Sequence, residues 1–294
     1  MKDPLYVDVD GTRTRYFAAG DGEPMILVHG GHFGNSACAE DWELNFEGLA
    51  DAFRVYAIDK LGMGFTDNPS LDGDYNLGAQ AEHLHGFIRA VGAEPAHLVG
   101  HSRGGYAVTR AALDHPEAVR TLTIVSSSSV INPLNPIYNE WRSKAAEMDE
   151  REGVHYLHAV NSYSADHITK RWVDAGVEIK RLEKTRVAAT KMKGEFFEAF
   201  KADVLTRVDE LRRDIAGGGL TVPTMLAWGA DDPSATVERC VKPAIDLFFS
   251  SVGDCELHLF GHAGHYCYRE HPDGFNSVLR EFIGIRRSTS GTGR

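Results

Sequence analysis

The sequence predicts an α/β fold with a mostly parallel central sheet, helices on both faces and a helical insertion. Between Met25 and Val125, short apolar runs typical of buried parallel strands alternate with helical patterns. The pattern then becomes helical and polar over residues 132–215. It returns to alternating strands and helices at Val222, just after a glycine triplet at 217–219 that predicts a flexible joint.

The first elements are expected to be a hairpin and two buried strands. Asp10-Gly11 separates the alternating segments 6–9 and 12–17, and such a pair is a strong signal of a β-hairpin. These two strands should be antiparallel and lie at one edge of the sheet. The apolar runs 25–28 and 55–58 predict strands that are buried on both faces.

The next elements place a serine in a tight turn. Segment 77–91 has the apolar spacing of an amphipathic helix. The short strand 96–99 then leads into Gly100-His101-Ser102-Arg103-Gly104, which a helix pattern follows over 105–113. A G-x-S-x-G sequence between a strand and a helix predicts a nucleophile elbow. Its glycines are expected where a side chain would collide with a neighbouring element. Strand 122–125 follows.

A serine hydroxyl is a weak nucleophile by itself, so Ser102 requires a histidine base and a carboxylate. Strand 225–228 is followed by Asp232, and strand 257–260 is followed by His265. The ends of parallel strands meet at one edge of a sheet, so the three side chains can converge there. The order Ser, Asp, His is the one expected for a triad built on such an elbow.

Two of these choices have close competitors. Asp232 is preferred over Asp231, because its spacing after Gly229 lets the chain turn over the strand end first. His265 is preferred over His262, because it follows a tight Ala-Gly turn and precedes aromatic residues. A metal site built from the two histidines is disfavoured, because the loop around them would not hold two ligands rigidly.

An oxyanion hole is the second requirement of this chemistry. One donor is expected to be the backbone N–H of Arg103, at the start of the helix after the serine. The other is expected to be the N–H of Gly31, in the loop His29-Gly30-Gly31-His32 after the first parallel strand. The alternative for this loop is a simple turn.

Composition limits the possible partners. The 294 residues carry 31 basic and 42 acidic side chains, a formal net charge of −11, which argues against nucleic-acid binding. No apolar run approaches the roughly 20 residues needed to cross a bilayer, and the first residues do not resemble a secretory signal. The four cysteines lack metal-type spacing and are interpreted as reduced thiols, so a cytoplasmic location is expected. A homo-oligomer stays open.

Taken together, these landmarks resemble the α/β-hydrolase family over nearly the whole chain. They are the glycine loop at 29–31, the elbow at 100–105, the acidic turn at 228–232 and Gly264-His265. The resemblance implies a core at 1–131 and 216–285, a helical lid at 132–215 and a flexible tail at 286–294. A separate helical domain is the alternative to a lid.

Within that family the chain is most similar to the meta-cleavage product hydrolases, which split a carbon–carbon bond in 2-hydroxy-6-oxo-dienoates. Those enzymes carry an Arg-Trp pair in the lid, here matched by Arg171-Trp172, and an aromatic residue after the base, here Tyr266. The resemblance implies that Arg171 binds the carboxylate of a small anionic dienoate. It also implies that neither a metal nor an organic cofactor is needed. The alternative for Arg171 is a solvated arginine on an amphipathic helix.

The other substrate-binding residues expected from the resemblance are Trp172, Gly30, His101, Asn35 and Tyr266. His101 and Arg103 stand where asparagine and methionine are common in that family; His101 is expected to replace the amide as a donor, with a pH dependence of its own. Asn45 competes with Asn35 for the role of the loop asparagine. The alternative functions are a carboxylesterase or lactonase and a ligand sensor that retains the triad.

Overall fold

The computed structural model describes residues 1–290, and in this range eight strands form one sheet. The strands, β1 to β8, cover Leu5–Val9, Thr12–Ala19, Glu23–Val28, Phe53–Ile58, Ala96–His101, Val119–Val125, Thr224–Gly229 and Cys255–Phe260. Their order in the sheet is β1-β2-β4-β3-β5-β6-β7-β8. The first two strands are antiparallel to their neighbours, and the other six are parallel. The predicted edge hairpin and parallel sheet are therefore confirmed.

The hairpin turn follows from its sequence. Asp10 and Gly11 both have positive φ values, 49° and 83°. Two successive positive φ values are what a two-residue hairpin turn of the favoured hand requires.

Helices cover both faces of the sheet in the described part of the chain. The α-helices, α1 to α11, cover Glu43–Ala50, Leu77–Ala90, Arg103–Asp114, Ile137–Ala145, Glu150–Ala159, Lys170–Arg181, Glu183–Lys191, Gly194–Ala216, Lys242–Ser251, Cys267–Glu270 and Pro272–Ser290. Helices α4 to α8 fall between β6 and β7, within the segment predicted to be an insertion. None of the helices in residues 1–290 has the length and apolar character needed to cross a bilayer.

Strand β3 shows how the two-residue period of a strand serves both faces. Met25 and Leu27 pack in one apolar cluster with residues of α1 and α11. Ile26 and Val28 pack in the other cluster, with residues of α2, α3 and α8. All four side chains are fully buried, as the continuous apolar run predicts.

Part of the tail predicted at 286–294 is helical, because α11 continues to Ser290. Arg286 donates to Asp254 at 2.8 Å and to Glu256 at 2.9 Å, and Arg287 bonds to Glu23. These ion pairs tie the end of α11 to the sheet. The remaining residues of the predicted tail, 291–294, lie outside the described residues.

A buried ion network joins β2 and β4 to the segment after β3. The Arg15 guanidinium donates to Glu40 at 2.6 and 3.0 Å and to Asp59 at 2.6 and 3.2 Å. Asp59 also accepts from the backbone N–H groups of Ala39 and Phe65. Burial acts to lower the pKa of Arg15, but the charges of Asp59 and Glu40 raise it above its ordinary value.

Replacing Arg15 by methionine tests this network. Arg15→Met leaves two buried carboxylates without their cation, so we expect a loss of about 3–5 kcal/mol in the free energy of unfolding. The control is Arg13→Met, because Arg13 is exposed on the same strand and stacks on Tyr6. Its loss should be at most about 1 kcal/mol. Urea denaturation measures both, and equal losses would contradict the network's role.

Candidate active site

Ser102 lies in a sharp turn between β5 and α3. Its φ of 52° and ψ of −121° are strained for a residue with a side chain. The turn is fixed by backbone contacts: the N–H of Ser102 donates to Val125 O at 2.9 Å, and Ser102 O accepts from Ser127 Oγ at 2.5 Å. The Ser102 side chain lines a cavity of about 370 Å³.

The glycines beside Ser102 are required by space, as the sequence predicted. A Cβ on Gly100 would lie 2.5 Å from Gly104 O, inside the following helix. A Cβ on Gly104 would lie 2.5 Å from Val28 O, at the end of β3. The close approach of α3 to β3 therefore depends on residues without side chains.

Asp232 and His265 are bonded to each other at the ends of β7 and β8. His265 Nδ1 lies 2.7 Å from Asp232 Oδ2, and both side chains are almost completely buried. Asp232 Oδ1 accepts from Ser234 N, Ser234 Oγ and Ala235 N at 2.8–3.0 Å. The carboxylate thus fixes the tautomer of the imidazole with Nδ1 protonated. His265 lines the same cavity as Ser102.

The competing residues lie elsewhere. Asp231 is exposed, and its backbone N–H bonds to Ala263 O. His262 is exposed and stacks on Tyr163 at 5.3 Å. The structure brings Asp232 and His265 together and leaves Asp231 and His262 outside.

The loop that carries His265 is attached to the helical insertion. The N–H of His265 donates to Asn161 O, just after α5, at 2.8 Å. Glu270 Oε1 accepts from Gly264 N at 2.7 Å, while its Oε2 accepts from Tyr163 N at 2.9 Å and Ser164 N at 3.0 Å. The Glu270 carboxylate therefore joins the insertion to the histidine loop, a role that no sequence pattern indicated.

His101 does not have the role that was expected of it. Its Nε2 lies 3.0 Å from His265 O, so the Nε2 proton is donated to that carbonyl. Its Nδ1 faces the Tyr268 hydroxyl at 3.4 Å. Burial, with the neighbouring His265, lowers the pKa of His101 well below its ordinary value. His101 lines the cavity, as predicted, but its ring proton is donated to the His265 carbonyl, so the prediction of a titrating donor to substrate is wrong and a neutral His101 positions the His265 loop.

The glycine loop after β3 packs directly on the serine. A Cβ on Gly30 would lie 2.9 Å from Ser102 Cβ, and Gly31 has a φ of +74°. His29 Nδ1 bonds to Gly30 O at 2.9 Å, and its Nε2 accepts from Lys60 N. Lys60 Nζ donates to Gly31 O at 3.2 Å. Both glycine carbonyls are therefore held, which fixes the directions of the adjoining N–H groups.

Lys60 is a buried cation with few partners. Burial, followed by the nearby Arg103 charge, lowers the pKa of Lys60 to about 7. Its ammonium bonds to a backbone carbonyl rather than to a carboxylate. A lysine in this position costs folding free energy, because its charge is removed from water with little compensation.

Three other residues expected to contact the substrate line the cavity, whereas the competing Asn45 does not. Asn35 lines the cavity, and its Oδ1 accepts from Ala37 N at 3.0 Å. Asn45 lies elsewhere, bonded to Tyr268 O and Asn276. Of the two competing asparagines, the structure therefore places Asn35 at the site. Gly30 and Tyr266 also line the cavity.

The expected position of Arg171 is wrong. Its Nη1 donates to Met1 O at 2.7 Å, its Nε lies 4.0 Å from Glu43 Oε2, and its side chain is about half exposed. Arg171 is not among the described residues that line the cavity. The direction in which a helix residue points is set by how the helix packs, and α6 turns Arg171 toward β2 and the first residue.

Trp172 also lies behind the cavity wall rather than in it. The indole is buried, stacks on His158 at 3.6 Å and donates from Nε1 to Asp41 Oδ1 at 2.8 Å. His158 and Asp41 do line the cavity. The expected substrate contact of Trp172 is therefore wrong, and the residue supports two that face the cavity. Burial raises the pKa of Asp41 to about 7.

Sequence reasoning missed the side chains that give the cavity its charge. Arg103, considered only for its backbone N–H, lines the cavity and carries a charged side chain. Arg142, on α4, was not considered at all and also lines it. The position of Arg103 beside the nucleophile was an available signal, whereas nothing local distinguishes Arg142 from a solvated helix residue.

The chain is similar to known proteins over most of its length. Residues 23–272 match the family model described as alpha/beta hydrolase fold. A 2-hydroxy-6-oxo-6-(2'-aminophenyl)hexa-2,4-dienoic acid hydrolase of Metapseudomonas resinovorans is 29% identical over 96% of this chain and 91% of its own. A 2-hydroxymuconate semialdehyde hydrolase of Pseudomonas sp. (strain CF600) is 28% identical over 93% of this chain and 91% of its own.

A solved structure shows the same similarity. The crystal structure of a serine hydrolase involved in carbazole degradation (CarC enzyme) superposes with a TM-score of 0.74. It is 26% identical, and the match covers 96% of this chain and 99% of that one.

Substituting Gly104 tests the packing of the elbow. Gly104→Ala places a methyl group against two backbone carbonyls at the end of β3, so we expect a loss of about 3 kcal/mol in unfolding free energy. The matched control is Gly284→Ala within α11, where nothing lies within 4 Å of the new Cβ. That change should stabilise by about 0.5–1 kcal/mol. A Gly104→Ala protein as stable as the wild type would rule out the close contact described.

Lys60 should leave a signature in the pH dependence of stability. Its pKa is about 7 in the folded state and ordinarily 10.5, so between these values the unfolded chain holds a proton that the folded chain has released. This group therefore makes stability rise with pH over that window. We expect Lys60→Met to be more stable than the wild type at pH 7, with the difference shrinking toward pH 10. Urea denaturation at a series of pH values measures this difference in stability. The control is Lys180→Met, at an exposed lysine. Parallel pH profiles of Lys60→Met and the wild type would refute the prediction.

Proposed function

Because the chain belongs to the α/β-hydrolase family, we propose that it is a serine hydrolase with Ser102 as nucleophile, His265 as base and Asp232 as the carboxylate that orients the base. Three observations support these roles: the strained elbow of Ser102, the buried 2.7 Å contact between His265 and Asp232, and the cavity that Ser102 and His265 share. The oxyanion hole is proposed to consist of the N–H groups of Gly31 and Arg103.

The proposed reaction is the hydrolysis of a carbon–carbon bond in a 2-hydroxy-6-oxo-dienoate. The observation that carries this choice is the similarity to two dienoate and semialdehyde hydrolases over more than nine-tenths of the chain. An esterase or lactonase is the second candidate. One observation favours it: Arg171, expected to bind the dienoate carboxylate, lies outside the cavity.

The steps follow from the positions of the groups. The dienol of the substrate first becomes a ketone as its hydroxyl proton moves to carbon 5. Ser102, or a water molecule activated by His265, then adds to the carbonyl at carbon 6 while Nε2 of His265 takes the proton. The negative oxygen is held by the two N–H groups, and Asp232 stabilises the imidazolium.

Cleavage of the bond between carbons 5 and 6 releases the dienoate part as an enol, whose conjugation takes up the electron pair. The imidazolium returns the proton. The other half of the substrate, which gains the oxygen of a water molecule, leaves as a carboxylic acid. The substrate supplies its own electron sink, so this proposal requires neither a metal nor an organic cofactor. We also propose a cytoplasmic location, as the sequence indicates.

Absorbance of a yellow dienoate tests the proposal. We expect the purified protein to bleach 2-hydroxy-6-oxo-6-phenylhexa-2,4-dienoate over many turnovers. Ser102→Ala should lower the turnover rate by about 10³-fold or more, since triad members act as a unit. Circular dichroism should show that the variant is folded.

Other outcomes would select other functions. Rapid hydrolysis of 4-nitrophenyl acetate with no bleaching of the dienoate would favour the esterase. One slow turnover that ends in a stable adduct would favour a ligand sensor. Bleaching that persists in Ser102→Ala would exclude Ser102 as nucleophile and leave only water addition.

A further inference from the structure

Two arginines face the cavity without a carboxylate partner. Arg103 begins α3, directly after Ser102, and Arg142 lies on α4. Within residues 1–290, neither guanidinium forms an ion pair, and Arg103 Nη1 is buried without a hydrogen-bond acceptor. Both guanidinium groups lie near aromatic rings: Arg103 lies 5.7 Å from the Phe200 ring, and Arg142 lies 5.7 Å from the Tyr138 ring.

Two other buried arginines of this protein are paired with carboxylates. Arg15 is bonded to Glu40 and Asp59, and Arg269 is bonded to Glu43 at 2.9 Å. This is the usual arrangement, because a charge removed from water is costly unless it is paired. The structure therefore leaves positive charge uncompensated in a cavity where a ligand could supply the missing anion.

The surroundings add to this charge instead of cancelling it. Burial, followed by the Arg142 charge, lowers the pKa of Arg103 to about 10. Lys201 also lines the cavity, although it pairs with Glu198. The carboxylate among the described lining residues belongs to Asp41, which burial pushes toward its neutral form. A chain with a net charge of −11 thus encloses a cationic cavity.

A polar atom of another cavity-lining residue also lacks a partner. His32 Nε2 is buried without a hydrogen bond, while its Nδ1 donates to Phe33 O at 2.8 Å. The charges of Arg142 and Arg103 both act on this ring, which places it near them. Because the proton of this neutral ring is on Nδ1, Nε2 is an acceptor, so it would bond a hydroxyl or N–H of a ligand and leave an anionic group to the arginines.

We propose that Arg103 and Arg142 bind a carboxylate of the substrate and make the enzyme select acids over neutral carbonyl compounds. The inference rests on the proposed function, because it assumes that Ser102 attacks the carbonyl of the same molecule. A planar guanidinium offers paired donors that match a carboxylate. The N–H of Arg103 would face the reacting oxygen while its side chain holds the acid, so one residue would set the distance between the two.

A matched pair of chromogenic esters measures this selectivity. The anionic one is 4-nitrophenyl hemisuccinate, and the neutral one is 4-nitrophenyl 4-methylpentanoate, in which two methyl groups replace the carboxylate oxygens. We expect the wild type to prefer the acid. Arg103→Met and Arg142→Met should each lower the ratio of kcat/KM for acid over neutral ester by about 10–100-fold, the value of a charged hydrogen bond. Arg171→Met, whose side chain lies outside the cavity, should leave the ratio unchanged.

A binding measurement separates recognition from folding. Glutarate should raise the melting temperature of the wild type and fail to raise that of the Arg103→Met, Arg142→Met double variant. Without ligand, the double variant should melt no lower than the wild type, because it loses two charges that repel each other. An unchanged ester ratio, or equal protection of both proteins by glutarate, would overturn the proposal. A large fall in melting temperature would assign the arginines a structural role instead.

The dienoate assay keeps the two proposals apart. If the wild type bleaches the dienoate but its ester ratio does not respond to either arginine, the carboxylate site fails and the proposed reaction stands. If the ester ratio responds and the dienoate is not bleached, the carboxylate site stands and the carbon–carbon reaction fails.

Discussion

The site depends on how closely the turn at Ser102 approaches the end of β3. Gly104 lies against the Val28 carbonyl and Gly30 lies against Ser102 Cβ, so neither position has room for a side chain. This contact holds the serine in a left-handed conformation, which would otherwise relax to relieve strain. It also places the glycine loop and the first N–H groups of α3 beside the same hydroxyl. The positions of the proposed nucleophile and of the proposed oxyanion donors are thus set by one packing contact.

Buried polar groups hold the loops around that contact. His101 bonds to the carbonyl of His265, His29 bonds to that of Gly30, and Lys60 bonds to that of Gly31. Each of these titratable side chains bonds to a single backbone carbonyl, and burial lowers the pKa of the side chain. Fixing a loop in this way costs folding free energy, and here the three fixed carbonyls belong to loops that line the cavity. The burial of these groups lowers the stability of the fold, and in return the direction of each backbone carbonyl is fixed.

Sequence patterns were sufficient where the determinants are local. The Asp10-Gly11 hairpin, the apolar strands and the pairing of Asp232 with His265 follow from turn chemistry, burial on both faces and the shared edge of parallel strands. They were insufficient where orientation depends on packing. The sequence places Arg171 on a helix but does not say which side of that helix faces the cavity, and it gives Arg142 and Glu270 no local signal. The end of α11 was also missed, because its ion partners are distant in sequence.

The bond between Asn161 O and the N–H of His265, together with the Glu270 carboxylate, has a mechanical consequence. The segment between α5 and α6 cannot move away from the histidine loop while these bonds last. An opening that displaces this segment must either break them or drag the imidazole away from its aspartate. Entry and proton transfer would then exclude each other in time, so the enzyme would be chemically idle whenever its entrance is widest.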